Sequence, residues 1–182
     1  MKVRVCISLL LAVLFIPFGF AQSDMPTHEV SVGYSFLRSG VNRSGWVASF
    51  SERVNDRLWI KAEAGGNYRE TLFFGSQPDF VHSLLVGPEF KLRKDSKLVP
   101  WAHVLAGITL NNRPLFTLGG PGDSTPVILR TTNVRFAAQP GGGVDYLFTP
   151  KVGIRFGADY RRATDQNFLR LQSGLVFRFG GR

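Results

Sequence analysis

Apolar and polar side chains alternate along this chain with a period of two. The pattern is sharpest over 167–179. There Leu169, Leu171, Ser173, Leu175, Phe177 and Phe179 hold one parity, and Arg170, Gln172, Gly174, Val176 and Arg178 hold the other. Such a period sends successive side chains to opposite faces of an extended strand. The segments 28–37, 45–54, 58–68, 80–92, 99–110, 132–148 and 151–162 read the same way. In the first, Val30, Val32, Tyr34 and Phe36 oppose Glu29, Ser31, Gly33 and Ser35. In the fourth, Leu84, Val86, Pro88 and Phe90 oppose Ser83, Glu89 and Lys91. Parity fails at Glu52 in the second segment, which predicts a bulge. The run Gly141-Gly142-Gly143 predicts a bend in the sixth.

Eight such strands are longer than the roughly 5 or 6 residues usual in soluble sheets and match the roughly 9 to 11 of a tilted membrane-crossing strand. The connections alternate. Short turns are expected at 55–57, 94–97 and 149–150, and longer loops at 38–44, 69–79 and 111–131, with a shorter one at 163–166. Aromatics gather near strand ends: Phe36, Trp46, Tyr68 and Tyr160 towards the loops, and Tyr146, Phe148, Phe177 and Phe179 towards the turns. Short turns on one rim, long loops on the other and two aromatic girdles describe an all-β, closed, eight-stranded antiparallel up-and-down transmembrane β-barrel. The alternative with the same periodicity is a soluble lipocalin-like barrel with its apolar face inward.

The N-terminus changes the compartment. Lys2 and Arg4 precede an apolar run from Val5 to Phe20 that is broken by Pro17 and Gly19, and Gly19-Phe20-Ala21 forms a small-x-small site. We read 1–21 as a cleaved export signal and 22–182 as one barrel domain. The single cysteine, Cys6, lies inside that signal, so no disulfide or thiol chemistry is expected in the mature chain. Removing Lys2 and Arg4 leaves 20 basic and 13 acidic residues, a net charge of +7. In an exported chain this points to anionic lipid or polysaccharide rather than nucleic acid.

Several stretches carry a family likeness. They are Leu85-Val86-Gly87-Pro88-Glu89-Phe90, the run from Pro100 to Gly107 beginning Pro-Trp-Ala-His, and the run from Ala137 to Tyr146 containing Gln-Pro-Gly-Gly-Gly. Arg155 with Asp159-Tyr160, and the closing Gly174-Leu-Val-Phe-Arg-Phe179, complete the set. Together they resemble the OmpA-like outer-membrane β-barrel domain family over about 28–179. The resemblance implies an outer-membrane location with periplasmic termini. It also implies contact with outer-membrane lipid and lipopolysaccharide, insertion by the barrel-assembly machinery, and ligand or partner contacts at the extracellular loops. Some members carry a peptidoglycan-binding domain after the barrel. The sequence runs to Arg182 without one, so cell-wall anchoring is not expected to carry over. The terminal aromatic read by the assembly machinery corresponds to Phe179, displaced by Gly180-Gly181-Arg182.

Charges on the polar parity form the candidate site: Glu29, Lys61, Glu63, Glu89, Lys91, His103, Arg135, Asp145, Arg155, Asp159, Arg161, Arg170 and Arg178. Eight strands enclose room for side chains only. These charges are therefore expected to interlock as a structural plug, since a lone buried charge is costly. The competing reading is a small pore gated by one pair exchanging partners. Leu115, Phe116 and Leu118 in the longest loop are interaction candidates, because apolar loop residues outside a membrane need cover.

An enzyme needs a nucleophile beside a base. Lipid A-modifying barrels make that class worth testing. His28 lies at the turn rim, His82 and Ser83 point to opposite faces, and Asp123-Ser124 has no histidine nearby in sequence. No catalytic residue, metal site or cofactor is expected. The role that remains is a non-enzymatic structural or surface-interaction protein.

Overall fold

A computed structural model describes residues 26–69, 79–92, 96–117, 127–164 and 166–181. The segment expected to be an export signal, 1–21, lies outside the described residues. Eight strands follow one another: β1 His28–Ser39, β2 Val41–Arg53, β3 Leu58–Arg69, β4 Asp79–Lys91, β5 Leu98–Thr117, β6 Val127–Thr149, β7 Val152–Ala163 and β8 Gln166–Phe179. Each pairs antiparallel with its chain neighbour, and β1 pairs with β8 to close the barrel. Carried around the ring, the registers return to β1 about ten residues further along, the stagger a closed barrel of tilted strands requires.

The alternation of the sequence decides which face points where. Val32, Leu84, Val86, Val104, Ile108, Phe156, Leu171 and Leu175 lie outward and exposed, while Glu29, Lys61, Glu89, Asp145 and Arg170 lie inward and buried. The soluble alternative had the reverse arrangement, and the chain does not adopt it. Aromatics sit where two girdles need them. At the loop end Tyr34 donates to Ser44 Oγ at 2.8 Å, and Trp46 Nε1 donates to Tyr68 Oη at 3.5 Å. At the turn end Tyr146 and Phe148 meet edge to face at 5.6 Å.

Three expectations fail. β2 carries no bulge: Glu52 pairs with His28 and with Ile60 in the same register as its neighbours, so it stays on the outward face at the turn rim. Its polarity, not the backbone, breaks the pattern. The expected loop at 38–44 is a tight hairpin, with Ser39 opposite Val41 and Gly40 at φ +68°, a conformation that side-chain-bearing residues rarely adopt. The expected loop at 111–131 is largely strand. β5 and β6 stay paired from Arg113↔Thr131 to Thr117↔Val127. Leu115 and Phe116 thus sit in a paired ribbon, opposite Leu129 and Ile128, and Leu118 lies outside the described residues.

The glycine run in β6 keeps its register with β7, and the register shift of that pair lies between Leu147 and Thr149. What the glycines supply is space. A Cβ on Gly143 would stand 2.6 Å from Trp101 Cζ2, and one on Gly157 of β7 would stand 2.6 Å from Trp101 Cη2. The indole fills the room that two missing side chains leave.

Candidate functional site

The inward charges gather in two groups stacked along the lumen. The group nearer the short turns centres on Glu29 from β1 and Asp145 from β6. Glu29 accepts from Arg155 Nη2 at 2.6 Å, from Arg178 Nε at 2.8 Å and from Lys91 Nζ. Asp145 receives both Arg155 Nε at 2.7 Å and Nη2 at 2.8 Å, a two-pronged contact that fixes the guanidinium plane. Arg178 Nη2 reaches Asp145 at 3.1 Å and Trp101 Nε1 donates to it at 3.0 Å. Lys91 lies 4.0 Å from the Trp59 ring centroid, and Lys61 and Arg155 lie 5.0 and 4.9 Å from that of Trp101. Two tryptophans on the polar parity therefore serve as faces for cations.

The second group lies further towards the loops. Arg170 grips Glu63 through Nη1 at 2.7 Å and Nη2 at 3.0 Å, and donates Nε to Asp159 at 2.8 Å. Gln172 adds a bond to Asp159 at 3.3 Å. Gln139 donates to Glu63 at 3.1 Å and accepts from Arg161 Nε at 2.7 Å. Lys61 joins the groups, 3.1 Å from Glu89 and 3.7 Å from Glu63. His103 also joins them, with Nε2 2.9 Å from Asp159 and Nδ1 3.9 Å from Glu89. All of these charged side chains are buried. Arg135, opposite Thr109, is half-buried nearer the loop rim.

Apolar side chains on the same inward parity flank these charges, and the sequence reading passed over them. Leu37, Val81, Leu85, Leu105, Ala137, Ala163 and Phe168 form a buried cluster on the loop side. Val99, Leu147 and Val176 form a smaller one on the turn side. Parity was the signal available: each shares the face of the charges around it. Arg43, expected in a loop, is also buried, because the hairpin at Gly40 brings it into β2.

Catalytic geometry is lacking among the described residues. His82 faces outward between Tyr68 and Phe80, with ring centroids at 5.5 and 4.9 Å. His28 packs at the turn rim against Phe50 and Phe179. Asp123 and Ser124 lie outside the described residues. No group of His, Cys, Asp and Glu among the described residues could hold a metal ion.

A closed eight-stranded antiparallel wall with an apolar outer face is the arrangement of small outer-membrane β-barrels. Solved structures share the fold. Neisserial surface protein A matches with a TM-score of 0.61 at 15% identity, covering 84% of this chain and 96% of that one. Ail, the attachment invasion locus protein of Yersinia pestis, solved with the heparin analogue sucrose octasulfate, matches at 0.59 and 16%, covering 84% and 97%. OprG from Pseudomonas aeruginosa matches at 0.60 with 7% identity, covering 87% and 98%. No protein-family model matches this sequence, and no curated protein sequence does.

Proposed function

We propose that this chain is a non-enzymatic outer-membrane barrel that carries no solute and acts through the rim bearing the longer connections. The observation that carries this reading is the filled lumen: two interlocked charge groups between two apolar clusters. Water and ions crossing such a lumen would have to separate both. The outward apolar face and the girdles support a membrane location, with the termini and short turns in the periplasm and the longer connections outside. Lipopolysaccharide and outer-membrane lipid then surround the wall, and the barrel-assembly machinery inserts it. At the rim, Arg38 and Arg162 are exposed and basic. Ail binds a sulfated sugar analogue. By analogy, the surface partner of this chain is anionic.

The runner-up is a gated conductor, favoured by Lys61 standing within 4 Å of both Glu63 and Glu89. Planar-bilayer recording of the refolded chain separates the two. A baseline without unitary steps is expected. Stable, voltage-dependent steps would replace the plug with the pore.

A further inference from the structure

Arg161 is a buried cation that the loop-side charge group leaves unmatched. It has no exposed surface, and its Nε donates to Gln139 Oε1 at 2.7 Å. Its Nη1 and Nη2 donate to nothing among the described residues. The carboxylates of its own group are already taken. Glu63 receives Nη1 and Nη2 of Arg170. Asp159 receives Nε of Arg170 and the Gln172 amide, and His103 Nε2 stands 2.9 Å from its other oxygen. Arg161 reaches Glu63 only through the neutral amide of Gln139.

A guanidinium keeps its proton in a protein, and each of its two outer nitrogens carries two N–H groups. A full charge and four donors therefore stand out of water without a match, which is costly. A buried group in that state calls for a partner. The room beside it is small, since eight strands enclose little more than side chains. On the loop side of Arg161 and Gln139 the next inward positions are Ala137 and Ala163, paired with each other and the shortest members of the apolar cluster there. A single atom suits that room better than a polyatomic group. Water there would accept two of the bonds and leave the charge. A halide matches both.

We propose that Arg161 holds one chloride ion inside the lumen, at the outer edge of its guanidinium, taken up as the barrel closes. The ion completes the loop-side charge group. This needs no partner at the rim and goes beyond the rim reading.

The test uses the full chain refolded in lipid vesicles and unfolded with urea. Chloride replaces gluconate, an anion too large for the lumen, at constant ionic strength, so that screening stays fixed. Once the site is filled, each tenfold rise in chloride should multiply the folded-to-unfolded ratio by about ten, as one ion held only by the folded state requires. Bromide should replace chloride in this. Arg161→Gln should abolish the dependence, and Arg57→Gln, at an exposed turn, should keep it. Migration of unboiled against boiled samples on a denaturing gel reports whether each variant is folded. A second measurement needs no variant. In crystals of the chain refolded in sodium bromide, anomalous scattering should place a bromide within hydrogen-bond reach of Arg161 Nη1 or Nη2, and excess chloride during refolding should remove it.

A folded-to-unfolded ratio indifferent to chloride overturns the inference. So does a dependence that Arg161→Gln leaves intact, because the ion then binds elsewhere. Water without bromide at the guanidinium overturns it too. Asp165, close by in sequence, lies outside the described residues. If Asp165→Asn destabilises the barrel and chloride has no effect on the parent chain, that carboxylate is the partner and no ion is held. None of these readings uses bilayer conductance, so this inference and the sealed-barrel reading fail separately.

Discussion

The two charge groups of the lumen and the apolar cluster above them close the same space by different means. In the lower lumen, Glu29 and Asp145 share Arg155 and Arg178, and each cation meets more than one acceptor. On the loop side, Leu37, Leu105 and Phe168 pack with no polar partner to satisfy. Buried charges hold only as a set, because removing one member strands the others without water or partner. Apolar packing loses contacts locally and in proportion to the volume removed. The charge region should therefore fail abruptly and the apolar region gradually.

The largest effect is expected at Arg155. Arg155→Ala leaves Glu29 and Asp145 short of their shared cation, and should cost about 3–5 kcal/mol. Urea unfolding in lipid vesicles, followed by tryptophan fluorescence, measures it. Arg155→Lys should recover only part, since an ammonium cannot reproduce the two-pronged contact with Asp145. A loss under about 1 kcal/mol for Arg155→Ala would mean the lower lumen is hydrated and the contrast with the apolar side is lost.

Leu105→Ala comes next, at about 3 kcal/mol from transfer and cavity terms. It should leave bilayer conductance at baseline, because the charge groups below still fill the lumen. Only a barrel carrying Leu105→Ala together with Arg155→Ala should leak. Gly157→Ala should follow at about 1–3 kcal/mol, since its Cβ would meet the Trp101 ring and shift the indole from Asp145. The near-ultraviolet circular dichroism of the tryptophans should change with it. The smallest effect belongs to Glu52→Leu, within about 0.5 kcal/mol in the same unfolding assay, because that carboxylate is exposed at the turn rim outside both regions.

Strand order, closure and the alternation of faces within most strands were legible because a period of two is a local property that every strand repeats. The inward direction of charges such as Glu29, Asp145 and Arg170 followed from the same alternation, each on the polar parity of its own strand. Partners were not legible. Glu29 and Arg178 stand far apart in sequence and meet only when β1 closes on β8. The apolar lumen residues escaped because Leu37, Leu105 and Phe168 look like misplaced wall residues until the inward face is known. Loop lengths misled because turn-forming residues mark where a chain can reverse, not where pairing stops. Asn-Asn-Arg-Pro at 111–114 reads as loop, yet it continues β5 through its pairing with β6.

The central claim is that the apolar parity meets lipid and the polar parity is packed and dry. Spin labels on single cysteines along β5 test it most directly, at Val104, Ala106 and Ile108 outward and at Leu105 and Thr109 inward. In lipid vesicles the outward labels should collide freely with oxygen and scarcely with a water-soluble nickel complex, and the inward labels with neither. Nickel collisions at the outward positions would mean a barrel that does not sit in a bilayer. Nickel collisions at the inward positions would mean a water-filled lumen, and the sealed barrel described here would be wrong.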